Sequence, residues 1–331
     1  MRMNKLLLLG AAAVLAAGVM TVDSWNGMEQ AFVRAEAIKL TVKDPTVSRC
    51  FNVVQGIHIF FELGENADQV DVFRTDMSTG ERTFLGSFSG SDLYDNEVES
   101  GVQYKYDLYS SRDGVRSDTF SSVTMTFVYT PDIIFRANTS SGIKIGWEEA
   151  EGASGYAIFR KDEVTNGEWE RVVTIDDGSW VEWLDTESRK HNGTVYHYAV
   201  RALADNDGTT VLSGCRTTGR TMVRLFTPTV SSCISTDSDA IRTSWNRNDQ
   251  ADGYELRFMV GKNVVFQQYF ANNKTVVKTI NDLKINKFYK IQVRSRFKTE
   301  SSGTYYSAWS APKYVDLNLN REDMELPAVL L

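Results

Sequence analysis

Between residues 38 and 317 the chain alternates apolar and polar residues in short runs. Ile143, Ile145 and Trp147 are separated by Lys144 and Gly146, and Tyr289, Ile291 and Val293 by Lys290, Gln292 and Arg294. A period of two sends one set of side chains to a dry face and the other to a wet one, the pattern of half-buried strands. Turn formers sit between these runs at Arg112-Asp113-Gly114, Asp205-Asn206-Asp207-Gly208 and Ser302-Gly303. Such residues accept the backbone of tight hairpins. No window sustains a 3.6-residue period, so the pattern predicts an all-β chain of short antiparallel strands packed as two facing sheets.

The same pattern occurs three times. Gly142-Ile143-Lys144-Ile145-Gly146-Trp147 is followed nine residues after its Trp by Tyr156-Ala157-Ile158-Phe159-Arg160, and Ala240-Ile241-Arg242-Thr243-Ser244-Trp245 nine after its Trp by Tyr254-Glu255-Leu256-Arg257-Phe258. Gly56-Ile57-His58-Ile59-Phe60-Phe61 and Val70-Asp71-Val72-Phe73-Arg74 fit the same frame, with Phe61 in the Trp position. A second landmark is Tyr104-Lys105-Tyr106, Tyr196-His197-Tyr198 and Tyr289-Lys290-Ile291, its first tyrosines spaced 92 and 93 residues apart. Pro45, Pro131 and Pro228 lie 16, 16 and 17 residues before the aromatic and open each copy. A repeat of this length marks modules in series, placed at 38–130, 131–227 and 228–317.

Each unit resembles a fibronectin type III module, the seven-stranded immunoglobulin-like β-sandwich. The residues that carry the resemblance are Phe61, Trp147 and Trp245 late in the second strand, the Tyr-x-Ile/Val run of the third, and Tyr104, Tyr196 and Tyr289 at the position of the family's corner tyrosine. Leu283 stands six residues before Tyr289, as the family's corner has it, whereas Lys190 stands there in the second copy. Gly152-Ala153-Ser154-Gly155-Tyr156, Gly167-Glu168-Trp169 and Tyr198-Ala199-Val200-Arg201-Ala202 are similar to tandem type III repeats of surface and secreted proteins from Gram-positive gut bacteria. Tyr306-Ser307-Ala308-Trp309-Ser310 is similar to the family's Trp-Ser motif. The resemblance implies that Trp309 stacks on an outward arginine, Arg294 or Arg296.

Composition agrees with folded modules: 42% hydrophobic, 24% charged, net charge −7 over 331 residues. The charge is uneven. Lys and Arg number 8 against 14 acidic residues over 38–130, 11 against 15 over 131–227, and 13 against 8 over 228–317, so only the third module is positive. A general nucleic-acid binder needs a dominant positive field and is not expected. Arg2 and Lys5 precede the apolar run Leu6 to Val22, which predicts an export signal within 1–37 and a secreted or cell-surface protein. Residues 318–331 form a tail. Cys50, Cys215 and Cys233 are odd in number and lack close spacing, which predicts three free thiols, with Cys50 and Cys233 at matching positions. The short joins Tyr129-Thr130-Pro131 and Phe226-Thr227-Pro228 predict modules in contact.

Catalytic signatures are missing. There are three histidines, and no HExxH, CxxC, GxSxG or phosphate-cradling glycine pattern. No cofactor and no enzymatic activity are expected. Glu148, Glu149 and Glu151, or Asp92, Asp95, Glu97 and Glu99, have the hard oxygens that Ca²⁺ takes, but acidic loops are common without metal. Asp205 to Gly208 lacks the distal glutamate of a calcium loop and reads as a tight turn. For ligand contact the second module offers exposed aromatics. Alternation turns Val181 and Trp183 inward and leaves Trp180 and Glu182 outward, with Trp169 before the next strand. The expectation is an exported set of binding or adhesion modules for cell-wall polymer, glycan or protein. The alternative is a carbohydrate-binding accessory using Trp180, Trp169 and Glu182.

Overall fold

The computed structural model describes residues 41–162, 167–216, 219–299 and 303–318. The expected export signal and residues 319–331 lie outside these. The first module contains β1 (Thr46–Val53), β2 (Gly56–Glu62), β3 (Gln69–Asp76), β4 (Arg82–Phe88), β5 (Asp92–Asp95), β6 (Gln103–Arg112), β7 (Val115–Arg116) and β8 (Ser121–Thr126). The second contains β9 (Ile133–Thr139), β10 (Gly142–Trp147), β11 (Gly155–Asp162), β12 (Glu170–Ile175), β13 (Glu182–Asp185), β14 (Val195–Asn206), β15 (Thr209–Leu212) and β16 (Arg220–Val223). The third contains β17 (Val230–Asp237), β18 (Ala240–Trp245), β19 (Gly253–Val260), β20 (Asn263–Phe270), β21 (Val277–Ile280), β22 (Lys287–Thr299), β23 (Gly303–Tyr306) and β24 (Lys313–Leu317).

One topology serves all three. A three-stranded sheet, β1-β2-β5, β9-β10-β13 or β17-β18-β21, faces a sheet built on β4-β3-β6, β12-β11-β14 or β20-β19-β22, whose longest strand also pairs the last two strands of its module. All pairings are antiparallel. These are three tandem fibronectin type III-like sandwiches. Asp113-Gly114 and Asp207-Gly208 both take positive φ, 50° and 78° in the first hairpin, 54° and 80° in the second, the backbone that two-residue hairpins require.

Each core forms where the alternation placed it. Phe61, Trp147 and Trp245 are buried, and the two tryptophans meet Tyr156 and Tyr254 edge-on at 5.3 and 5.6 Å. Tyr104 and Tyr289 reach back five residues: the Glu99 amide donates to the Tyr104 hydroxyl at 3.0 Å, and the Tyr289 hydroxyl donates to the Lys284 carbonyl at 2.8 Å. In the second module a 3₁₀ turn at Glu187–Lys190 occupies the corner. Burial there pushes the Tyr196 phenol up to about 12.

The first two modules bury a polar triad. Arg74 Nη1 donates to Asp95 at 2.9 and 3.1 Å, and Tyr106 donates to the same carboxylate at 2.8 Å. Arg160 and Tyr198 hold Asp185 at 2.9–3.1 and 2.7 Å. Burial, with the facing carboxylate, pushes both phenols far above their usual range. Glycine sets the approach: a Cβ on Gly56 or Gly142, both at φ 149°, would fall 2.2 or 2.0 Å from the carbonyl oxygen of Asp95 or Asp185. In the third module register places Phe258, Ile280 and Ile291 at the triad positions, all buried. The same fold therefore tolerates an ion pair or well-packed hydrocarbon at one site.

The expected arginine stacking is present with one correction. Trp309 lies between Arg294 and Arg257, 4.4 and 3.9 Å from its ring centre. Arg296 does not join it, because it sits two residues further along β22, opposite Gly253, where it stacks on Tyr269 at 3.9 Å. Arg294 also covers Tyr306 at 3.8 Å, and its Nε donates to Glu255 at 2.7 Å, which offsets the charge crowding between the two guanidiniums.

The modules touch, and both junctions use one device. Asn52 on β1 donates to the Thr126 carbonyl of its own module and the Leu212 carbonyl of the next, at 3.0 and 3.2 Å. Asn138 on β9 donates to Val223 and Tyr306 in the same way, both at 2.9 Å. Beside each acceptor a side chain of the following module packs against the preceding core: Val211 at the first junction, Tyr305 with Phe297 at the second. By register the third module has Ser235 where the others have asparagine. The hairpin tip adds a second link at the first junction. Asn206 accepts from the Thr126 amide at 2.7 Å and donates to the Thr124 carbonyl at 3.3 Å, so its amide pairs along edge strand β8 as a neighbouring strand would.

Asp185→Ala leaves a buried guanidinium and phenol unpaired and should destabilise the second module by about 3–5 kcal/mol. The combined replacement Arg160→Phe, Asp185→Ile, Tyr198→Ile, which copies the third module, should recover most of that loss. Hydrogen exchange at the Ile143 and Ile158 amides reads this module alone. Asn206→Ala should cost on the order of 1–3 kcal/mol of junction stability. It should speed exchange at the Thr126 amide while the Ile143 amide keeps its protection.

Candidate ligand-binding surfaces

Trp180, Glu182 and Trp169 do not converge. Trp180 precedes β13 and is 55% exposed, its indole N–H donating to the Glu182 carbonyl at 2.5 Å. Glu182 also faces outward and pairs with Lys144 at 2.7 Å, while Val181 and Trp183 pack against the core. Trp180 and Glu182 therefore share one patch on the three-stranded sheet. Trp169 lies at the other end of β12, half-buried, with Lys161 Nζ 4.9 Å from its ring centre. Its six-membered ring edge closes on Gly219, where a Cβ would meet it at 2.6 Å. Six strand residues, roughly 20 Å at 3.3 Å each, separate the two tryptophans, so they form separate contacts and not one platform.

Sequence reasoning missed a larger aromatic surface on the first module. Across the outer face of β1-β2-β5, register aligns Phe51 with His58 and His58 with Tyr94; the next row is Arg49, Phe60 and Asp92. His58 stacks on Tyr94 at 3.6 Å and tilts against Phe60 at 4.1 Å, and its Nε2 lies 2.8 Å from Asp92 Oδ2. Phe51 stacks on Phe60 at 6.0 Å and is covered by Arg49 at 5.4 Å. His58 is buried in this stack, whereas Tyr94 is 63% exposed. The rings are fixed by one another, so a ligand meeting the outer face of Tyr94 orders little side chain, and Asp92 stands beside it as an acceptor. The alternation at His58, Phe60 and Tyr94 carried this signal. It went unused because Phe51 and Tyr94 lie on strands whose register is not apparent in the sequence.

The acidic and thiol candidates hold no converging chemistry. Asp95 turns inward to its triad and Asp92 turns to His58, which disperses the carboxylate cluster expected over 92–99. Among the described residues no three His, Cys, Asp or Glu side chains are arranged to hold a metal ion. Asp205 to Gly208 is a hairpin turn that docks on the first module. Cys50, Cys215 and Cys233 are free. Cys50 faces Ile59 and Cys233 faces Thr243 at matching register positions, and burial pushes the Cys50 thiol up to about 12, where it is a packing group and not a nucleophile.

No protein-family model matches the chain, and no curated protein matches it. Among solved structures it is similar to the FN1–FN3 domains of chicken CNTN1, with 16% identity over 84% of this chain and 100% of that one and a TM-score of 0.31. The strand order within each module identifies the fibronectin type III-like sandwich.

Proposed function

We propose that the chain is an exported, non-enzymatic protein, secreted or held at the cell surface, whose tandem sandwiches bind cell-wall polymer, glycan or protein partners. The observation that carries this reading is the prearranged aromatic stack of Phe51, His58, Phe60 and Tyr94 on an open sheet face. It offers a surface to a ligand where an enzyme would enclose a cleft. The apolar run behind Arg2 and Lys5 supports export. A second reading, a carbohydrate-binding accessory, draws on Trp180: its indole is held by a hydrogen bond while its face stays open beside Glu182, as sugar stacking requires.

Co-sedimentation of the purified chain with the producer's cell envelopes tests the first reading. Binding should survive Trp180→Ala and fall about tenfold in Tyr94→Ala, the loss of one well-packed aromatic anchor. Equal sedimentation of both variants with the parent removes the module 1 face as the contact. On a glycan array the accessory reading expects the opposite order, with binding lost in Trp180→Ala and kept in Tyr94→Ala.

A further inference from the structure

An open depression of about 650 Å³ at the junction of the second and third modules is lined by Ser140, Arg189, Lys190, Arg224, Phe226 and Thr227. Arg224 is anomalous. Only 3% of it is exposed, yet it makes no ion pair with a carboxylate among the described residues. Its Nη1 faces four neutral acceptors: Asn138 Oδ1 at 3.2 Å and the carbonyls of Thr139, Gly142 and Leu225 at 2.9, 3.4 and 3.5 Å. Its Nε is buried with no acceptor, and the hydroxyl of Thr227, on the same depression, is buried without a partner as well. Arg74 and Arg160 each hold an aspartate, while Arg201, whose pKa burial also lowers, donates to the Ser213 carbonyl instead. Asp185 acts on Arg224 only at a distance and is itself held by Arg160 and Tyr198.

A buried guanidinium without a counter-charge is unfavourable, and burial lowers the Arg224 pKa accordingly. Two more cations line the same depression. Arg189 makes no ion pair among the described residues, and Lys190 reaches only the exposed Glu187, at 2.7 Å. No acidic side chain lines the depression. One wall is Phe226, whose ring lies 5.3 Å from the Arg224 guanidinium and is partly exposed. Three cations, two unpartnered buried polar atoms and one apolar wall thus meet in one depression.

We infer that this junction binds an oxyanion carried on a carbon skeleton, a carboxylate or phosphate ester group. The anionic oxygens meet Arg224, Arg189 and Lys190, and the skeleton lies against Phe226. The inference rests on the junction geometry and not on the surface-binding proposal: the site exists whether or not the chain adheres to an envelope. Occupancy would also bear on the junction itself, because Arg224 holds the β9 backbone while Phe226 and Thr227 form the join.

Amide NMR titration of the full chain with glucuronate and, separately, glycerol 1-phosphate, against sodium chloride at equal ionic strength, tests this and distinguishes the two sources. At least one probe should give saturable shifts at Ser140, Gly142 and Thr227 that chloride does not. The exposed double variant Arg189→Gln, Lys190→Gln, which leaves the packed junction untouched, should weaken that binding about tenfold or more. Arg224→Met should abolish it; should that variant not fold, the double variant decides. The inference is overturned if neither probe gives a saturable shift there, if chloride reproduces the shifts, or if the double variant binds as tightly as the parent.

Discussion

Closure of the first two sandwiches, each by the one that follows it, is the constraint on which the rest depends. A sandwich of this size, with three strands facing five, leaves one end of its core and one edge of its larger sheet open. Here Val211 covers the first module's core and Tyr305 the second's. A single asparagine on the first strand, Asn52 or Asn138, links its own last strand to the incoming hairpin. A carboxamide suits this place because its two donors can serve two carbonyls at once, which neither a hydroxyl nor an apolar side chain can do. The junctions are therefore specific in polar geometry as well as apolar area. The faces carrying Tyr94 and Trp180 stay uncovered because closure uses the ends of the sandwiches.

Polar burial is distributed unevenly along the chain. The first two modules commit an arginine, an aspartate and a tyrosine to their interiors, and the third fills the same positions with Phe258, Ile280 and Ile291. Replacing a buried pair by hydrocarbon is often neutral or stabilising, so the triads are not needed to make a sandwich stable. What they add is orientation. Each aspartate fixes the strand opposite the β1–β2 or β9–β10 turn through a glycine that permits the close contact. At the second junction a further arginine, Arg224, enters the interior without an acid. In the first module the equivalent position is filled by Phe127.

Much of the fold was legible in the sequence because core aromatics recur at fixed spacing: Phe61, Trp147 and Trp245 announced the sandwiches, and alternation correctly sent Trp183 inward and Trp180 outward. Trp309 was legible as an arginine stack, but its second partner, Arg257, comes from β19, and only strand pairing brings it there. The aromatic stack on the first module was half legible, since period two placed His58 and Phe60 outward but could not align them with Phe51 and Tyr94. The junctions were not legible. Asn52 and Asn138 resemble ordinary strand-end asparagines, and their partners at Leu212 and Tyr306 lie about 160 residues downstream. A tight turn could be read from Asp205 to Gly208, but not that its second residue docks on another module.

The direction of the junctions has a consequence for synthesis. Each closing hairpin belongs to the later module and reaches back, so neither of the first two modules is finished from its own residues. The last strand of the first sandwich ends at Thr126, but its asparagine link and apolar cover come from residues 206–212. A chain emerging from a ribosome from its N-terminus must therefore deliver roughly eighty more residues before its first domain reaches full stability. At about 5–20 residues per second this leaves an interval of seconds. During that interval the open core end and the β8 edge are exposed to chaperones and proteases, and a truncation after the first module would make the exposure permanent.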